Sequence, residues 1–185
     1  MSAFRAATSA AQWLSGTRPA NATTHLYHMG MCPDNVTGCS ILLQTFNGGT
    51  GISWGEAGIF SGFFPSTLTS DSSLTTTQFE VLPTLTKLGT VNLMSSMTTG
   101  GIYQFNCAFT AANCSYGDEL WFALGFSGST YPNLYSNCGP DFLQSGRYLT
   151  VTGRPSELTG AGPGTLAWGS TSVYIPAFSV MLNVE

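Results

Sequence analysis

The chain has 185 residues, of which only five are Lys or Arg and nine are Asp or Glu, against 43% hydrophobic and 12% aromatic residues. That length and apolar content fit one packed domain able to bury roughly two-thirds of its unfolded surface, and exclude a disordered chain. A net charge of −4 with five basic residues excludes a nucleic-acid footprint, which needs clustered Lys or Arg, and no apolar run approaches the ~20 residues of a membrane-spanning helix.

Residues 1–22 differ in character from the rest of the chain. They carry no apolar h-region, so no secretory signal is expected and the chain reads as soluble and made in the cytosol. They are Ala-rich and helix-compatible between Ala6 and Leu14, stop at Gly16 and are released through Thr17, Arg18 and Pro19. An N-terminal arm, extended and partly helical, is expected over 1–22, ahead of a β-sandwich domain over 23–185. Phe4, Trp13 and Leu14 are large apolar groups with little local sequence to bury them. Two readings stand: the arm docks on a partner, or it folds back onto the body.

From Thr23 onward the pattern is period two, or short apolar runs broken by Gly, Asn, Asp, Ser and Pro. Strands are expected at His25–Cys32, Cys39–Phe46, Gly51–Phe60, Thr77–Leu82, Leu88–Met94, Ile102–Phe109, Leu120–Phe126, Arg147–Val151 and Val173–Val184. So many short strands make an all-β, two-sheet sandwich the expected fold. Tyr103, Phe105, Cys107 and Phe109 alternate with Gln104, Asn106 and Ala108, which predicts one buried face. Leu120, Phe122, Leu124 and Phe126 share a face opposite Trp121 and Ala123. Residues 88–117 and 158–184 contain no Asp, Glu, Lys or Arg. A surface so short of charge must cover itself with Ser, Thr, Gly and Asn, and suits packing against neighbours.

Side chains for chemistry are scarce. His25, His28, Cys32 and Cys39 are zinc-type ligands, but on one strand His25 and His28 point to opposite faces, so no metal site is expected. Asp118 and Glu119 are adjacent on a strand and cannot flank one bond as acid and base. A Ser-His-Asp set would have to recruit His25 or His28. Neither catalysis nor a cofactor is expected. Cys32, Cys39, Cys107, Cys114 and Cys138 are an odd set, read by default as reduced thiols. The C-x6-C spacings Cys32 to Cys39 and Cys107 to Cys114 could each close a hairpin if oxidised. Sequons at Asn21, Asn35 and Asn113 carry no weight without a secretory signal. Trp54, Tyr131, Tyr135 and Trp168 lie among Gly, Ser, Asn and Pro. They either present ring faces to a sugar, or plug the sandwich ends or a subunit interface, where Tyr and Trp are enriched.

Gly58-Ile59-Phe60, then Leu88-Gly89-Thr90-Val91, then Gly117-Asp118-Glu119-Leu120-Trp121-Phe122-Ala123 resemble, in that order, jelly-roll modules in virion proteins of tailed bacteriophages. The match is best over residues 41–126. Glu119-Leu120 departs from it, standing where the family more often has a single aromatic before Trp. The resemblance implies a jelly-roll-like sandwich on the virion, most simply a capsid decoration (cement) protein on the capsid surface, synthesised in the host cytoplasm. It implies the major capsid protein and further copies of the chain as partners, a trimer being one form of the homo-oligomer. The alternative is a tail or appendage module that recognises host surface glycan.

Overall fold

The computed structural model describes residues 2–6, 11–12, 21–32, 35–47, 49, 51–62, 85–93, 97, 99–109, 114–129, 132–134, 136–138, 149–158, 167–168, 174–176 and 178–184. In chain order its strands are β1 (Ser2–Ala6), β2 (Ala11–Gln12), β3 (Thr23–Met31), β4 (Val36–Asn47), β5 (Ile52–Ser61), β6 (Thr86–Asn92) and β7 (Gly101–Ala108). They continue with β8 (Glu119–Gly128), β9 (Asn133–Leu134), β10 (Ser136–Cys138), β11 (Leu149–Thr152), β12 (Ala167–Trp168), β13 (Tyr174–Pro176) and β14 (Phe178–Val184). A single 3-10 turn spans Pro155–Glu157.

The fold is an all-β sandwich of two antiparallel sheets. The first runs β1-β14-β4-β7, with β9 also paired to β4, and the second runs β12-β11-β3-β8-β5-β6. The chain passes from sheet to sheet between β3 and β4, β4 and β5, β6 and β7, and β7 and β8, so the core forms between strands close in sequence. A small third sheet, β13-β10-β2, joins three short strands.

Eight of the nine expected strands fall on observed ones; the ninth, Thr77–Leu82, lies outside the described residues. The segment Val173–Val184 proves to be two strands in different sheets, β13 and β14, parted just after Pro176. Pro cannot donate to a ladder, so it sits naturally where pairing ends. The helical part of the expected arm is corrected: Ala11–Gln12 is strand and pairs with β10. β1 pairs with β14 over its whole length, Phe4 opposite Val180. A short Ala-rich segment is a marginal helix on its own, and an open sheet edge supplies the backbone partners that helix formation would otherwise have to supply.

The core lies between the sheets. Tyr27, Ile59, Leu120, Phe122, Leu124 and Phe126 from the second sheet meet Ile41, Leu43, Phe105, Phe178, Val180 and Leu182 from the first. Strand β7 shows the predicted alternation, with Phe105 and Cys107 buried and Gln104, Asn106 and Ala108 exposed. Strand β8 is buried on both faces: Trp121 and Ala123 are as enclosed as their neighbours. On that outer side the segment around the 3-10 turn lies over the sheet, held by Thr24 Oγ1 donating to the Gly153 carbonyl (2.8 Å) and Lys87 Nζ donating to the Ser156 carbonyl (2.6 Å).

Two glycines set the local geometry. Met29 is an extra residue where the β3–β8 register shifts, and Gly30 follows it with φ +100°, a bulge conformation that suits glycine. Gly89 lets β6 approach β7 so closely that an added Cβ would meet the Ala108 carbonyl oxygen, with Cys107 Sγ at 3.0 Å. Gly89→Ala is therefore expected to cost about 1–3 kcal/mol by overpacking, read as a lower urea midpoint. An unchanged midpoint would mean that the two strands have room to part.

Candidate functional site

The surface that stands out is the outer face of the first sheet. Strands β4, β7 and β14 contain no Asp, Glu, Lys or Arg. Register places Ser40 beside Met181 and Asn106, Leu42 beside Ser179 and Gln104, and Gln44 beside Ile102. Gln104, Asn106 and Asn183 are exposed, and Ile102 is 70% exposed. Some of the polar groups are tied to one another: Ser40 Oγ donates to Asn106 Oδ1 (2.8 Å) and accepts from Gln104 Nε2 (3.4 Å). β1 widens the sheet, with Ala3 and Arg5 in register with Met181 and Ser179. Exposed surfaces are usually rich in charge, whereas the centres of protein interfaces are poor in it. Across β4, β7 and β14 such a face can adhere without desolvating ions, with Arg5 as a charge at the β1 edge beside it.

Of the aromatic candidates, Trp54 and Trp168 lie on well-separated strands of the second sheet. Trp54 is half-buried on β5, with the Arg154 guanidinium 5.7 Å from its ring centroid. Arg154 also reaches Glu56 (3.8 Å) and Glu157 (3.0 Å), while Glu56 accepts from the Ser156 backbone N–H at 2.9 Å. This group pins the 3-10 turn to β5, so the Trp54 ring already has a cationic partner. Trp168 is on β12, in register with Leu149. β11, β3 and β8 separate β12 from β5, about 19 Å along the sheet, too far for Trp54 and Trp168 to grip one sugar ring. Tyr131, Tyr135, Trp13 and Leu14 lie outside the described residues, as do the side chains of Phe4 and Trp168. The sequon residue Asn21 uses its Oδ1 to accept from Ser127 Oγ and the Gly128 N–H, both at 3.0 Å.

No protein-family model matches this chain, and no curated protein matches it significantly.

Among the described residues no group of three His, Cys, Asp or Glu converges as metal ligands. His25 is instead a core residue, its Nδ1 3.2 Å from the Tyr27 hydroxyl, and burial lowers its pKa to about 3. The unfolded value is about 6.5, so at intermediate pH the folded chain holds fewer protons than the unfolded one. The stability from a neutral His25 is fully present above pH 6.5 and is lost as pH falls toward 3. Between pH 7 and pH 5 the expected loss is about 2 kcal/mol, read from urea midpoints, and His25→Gln should flatten the slope. Equal slopes in both proteins would refute this account.

The cysteines pair otherwise than their spacing implied. Cys39 and Cys107 sit directly opposite one another in the β4–β7 ladder, and their thiols are hydrogen-bonded. Cys114 is hydrogen-bonded to Cys32, not matched with Cys107. All four are buried and reduced. The hairpin closures that the C-x6-C spacings left open are not the pairs that face each other, because strand register, and not separation along the chain, decides which sulfurs meet.

Proposed function

We propose that the chain is a structural protein of a tailed-bacteriophage virion, a capsid decoration protein that joins its own copies and the shell through the outer face of β14, β4 and β7. The observation that carries this reading is the absence of charge from that face. Many apolar and hydrogen-bonded contacts, each weak, gain strength when symmetry repeats them over a lattice. The virion assignment rests on the resemblance, whose three motifs fall on neighbouring strands. Gly58, Ile59 and Phe60 of β5 pair on one side with Ala123, Phe122 and Trp121 of β8, while Gly58 and Ile59 pair on the other with Thr90 and Gly89 of β6. The motifs thus belong to one continuous stretch of sheet.

The test is the number of copies of this chain per major shell protein in purified virions of its source, by quantitative mass spectrometry. Near parity is expected for a lattice-wide decoration protein. A handful of copies would move the chain to a tail or appendage, where glycan recognition becomes the reading to test, and absence from the virion would overturn the proposal. Binding to shells is expected to change little with ionic strength, since charge pairs are the contacts that salt screens. A steep loss in high salt would put the contact elsewhere. Removal of residues 1–22 should weaken assembly if β1 is part of the contact surface, and undiminished assembly would remove the arm from it.

A further inference from the structure

The four buried cysteines form two separate two-sulfur sites at one end of the sandwich. Directly opposed residues of an antiparallel pair have Cα atoms about 4.5–5.5 Å apart, inside the range a disulfide spans, and Cys39 and Cys107 are such a pair. Cys114 exchanges backbone hydrogen bonds with Val36 (3.1 and 3.3 Å). Cys32 donates to the Asp118 carbonyl (2.6 Å) and accepts from the Gly117 N–H (3.0 Å). These contacts hold Cys32 and Val36 against residues 114–118, and the Cys32 and Cys114 thiols are within hydrogen-bonding reach of each other. The four sulfurs do not gather as a metal-ligand group among the described residues, which separates this arrangement from a four-thiolate zinc site.

We propose that Cys39 with Cys107, and Cys32 with Cys114, are latent disulfides that close when the chain meets a small-molecule disulfide oxidant, locking β4 to β7 and the entry to β4 to the entry to β8. The Cys39 thiol donates to the Cys107 sulfur. Cys107 lies on the edge strand β7 and Cys39 on the inner strand β4, so local opening exposes Cys107 first, and the bond from Cys39 also favours its thiolate; Cys107 is the entering nucleophile. Its thiolate attacks one sulfur of the oxidant and expels the other half as a thiolate. Cys39 then loses its proton and displaces the remaining half from Cys107, forming the protein disulfide. Two electrons pass to the oxidant, which leaves as two thiols, and the protein loses the two thiol hydrogens. The Cys32–Cys114 pair follows the same stoichiometry, although burial and the Cys32 hydrogen bond hold Cys114 well above the usual thiol range. With all four thiols buried, attack requires local opening or an incompletely folded chain. The consequence is a protein that folds reduced and hardens on leaving a reducing compartment.

The test treats fully reduced wild-type protein with oxidised glutathione, with and without urea near the foot of the unfolding transition. Acid quenching then stops exchange with Cys138 before non-reducing peptide mapping by mass spectrometry. Linked peptides joining Cys39 to Cys107 and Cys32 to Cys114 are expected, appearing faster in urea. Cys32–Cys39 or Cys107–Cys114 linkages would overturn the proposal, as would glutathione caps or free thiols at all four positions after exhaustive treatment. In Cys39→Ala, Cys107 should end glutathione-capped while Cys32–Cys114 still closes; a Cys107 linkage to Cys32 or Cys114 would count against two independent sites. The wild-type map decides the question by itself if that variant does not fold.

Discussion

The oxidised protein is expected to unfold at a markedly higher urea concentration than the reduced protein, and dithiothreitol should reverse the difference. A Cys39–Cys107 crosslink closes a loop of more than a third of the chain, for which loop entropy gives about 4 kcal/mol. The Cys32–Cys114 bond encloses the same loop. Once the inner crosslink exists, the outer one closes only the short flanks between the two and adds about 3 kcal/mol. These figures assume that native geometry accepts both bonds without distortion, as the opposed register of Cys39 and Cys107 favours. Against a total stability of about 5–15 kcal/mol for an ordinary domain, even half the gain would dominate the denaturation curve. Urea midpoints with and without reductant check it, provided that the slope of each transition is reported, since crosslinks also compact the unfolded chain. Coincident curves from protein mapped as fully linked would mean that closure strains the fold by as much as it restrains the unfolded chain.

This arrangement was hidden in the sequence for a physical reason. Two C-x6-C spacings look like local hairpin closures, whereas the pairing actually depends on which strands become neighbours, and β4 and β7 are distant in sequence. Local patterns were far more legible. The alternation from Tyr103 to Phe109 reads directly as a face of β7, and the run at Leu120–Phe126 as the strand that is β8. What period two could not reveal is that Trp121 and Ala123 are buried as well, Trp121 with its Nε1 donating to the Gly62 carbonyl (3.3 Å), because the cover of an outer face comes from segments distant in sequence. The Ala-rich arm misled in the opposite direction, its intrinsic helix preference giving way to pairing with strands much later in the chain.

The candidate interaction face was half legible. Scarcity of charge over residues 88–117 and 158–184 pointed to an adhesive surface but gave it no location. Antiparallel register gathers Ser40, Leu42 and Gln44 with β7 and β14 residues on one side of one sheet, and that is what turns composition into a place. Trp54 shows the limit of composition in another way. Its Gly- and Ser-rich surroundings suited a sugar platform, yet on the strand expected there it lies beside Arg154, whose guanidinium also engages two carboxylates.

Phe122→Ala is expected to cost about 3–5 kcal/mol and to leave the fold barely stable in the reduced protein. Phe122 is fully buried on β8, with the Phe178 ring of the opposite sheet 4.3 Å away and the Tyr27 ring of β3 at 6.1 Å. Tyr27 and Phe178 are themselves 5.6 Å apart, so three rings from two sheets share one contact and the cavity cannot close by moving any one of them. Phe122→Leu keeps most of the volume and should cost less than about 1.5 kcal/mol. A double-mutant cycle of Phe122→Ala with Phe178→Ala should show a coupling of about 0.5–3 kcal/mol, because each truncation removes the other's partner. Gln104→Ala, on the open outer face, should stay within about 0.5 kcal/mol of wild type. Urea midpoints of these variants separate the interior between the sheets from the outer face of the first sheet. If Phe122→Ala proved no more harmful than Gln104→Ala, the sheets would not be joined through this cluster in solution.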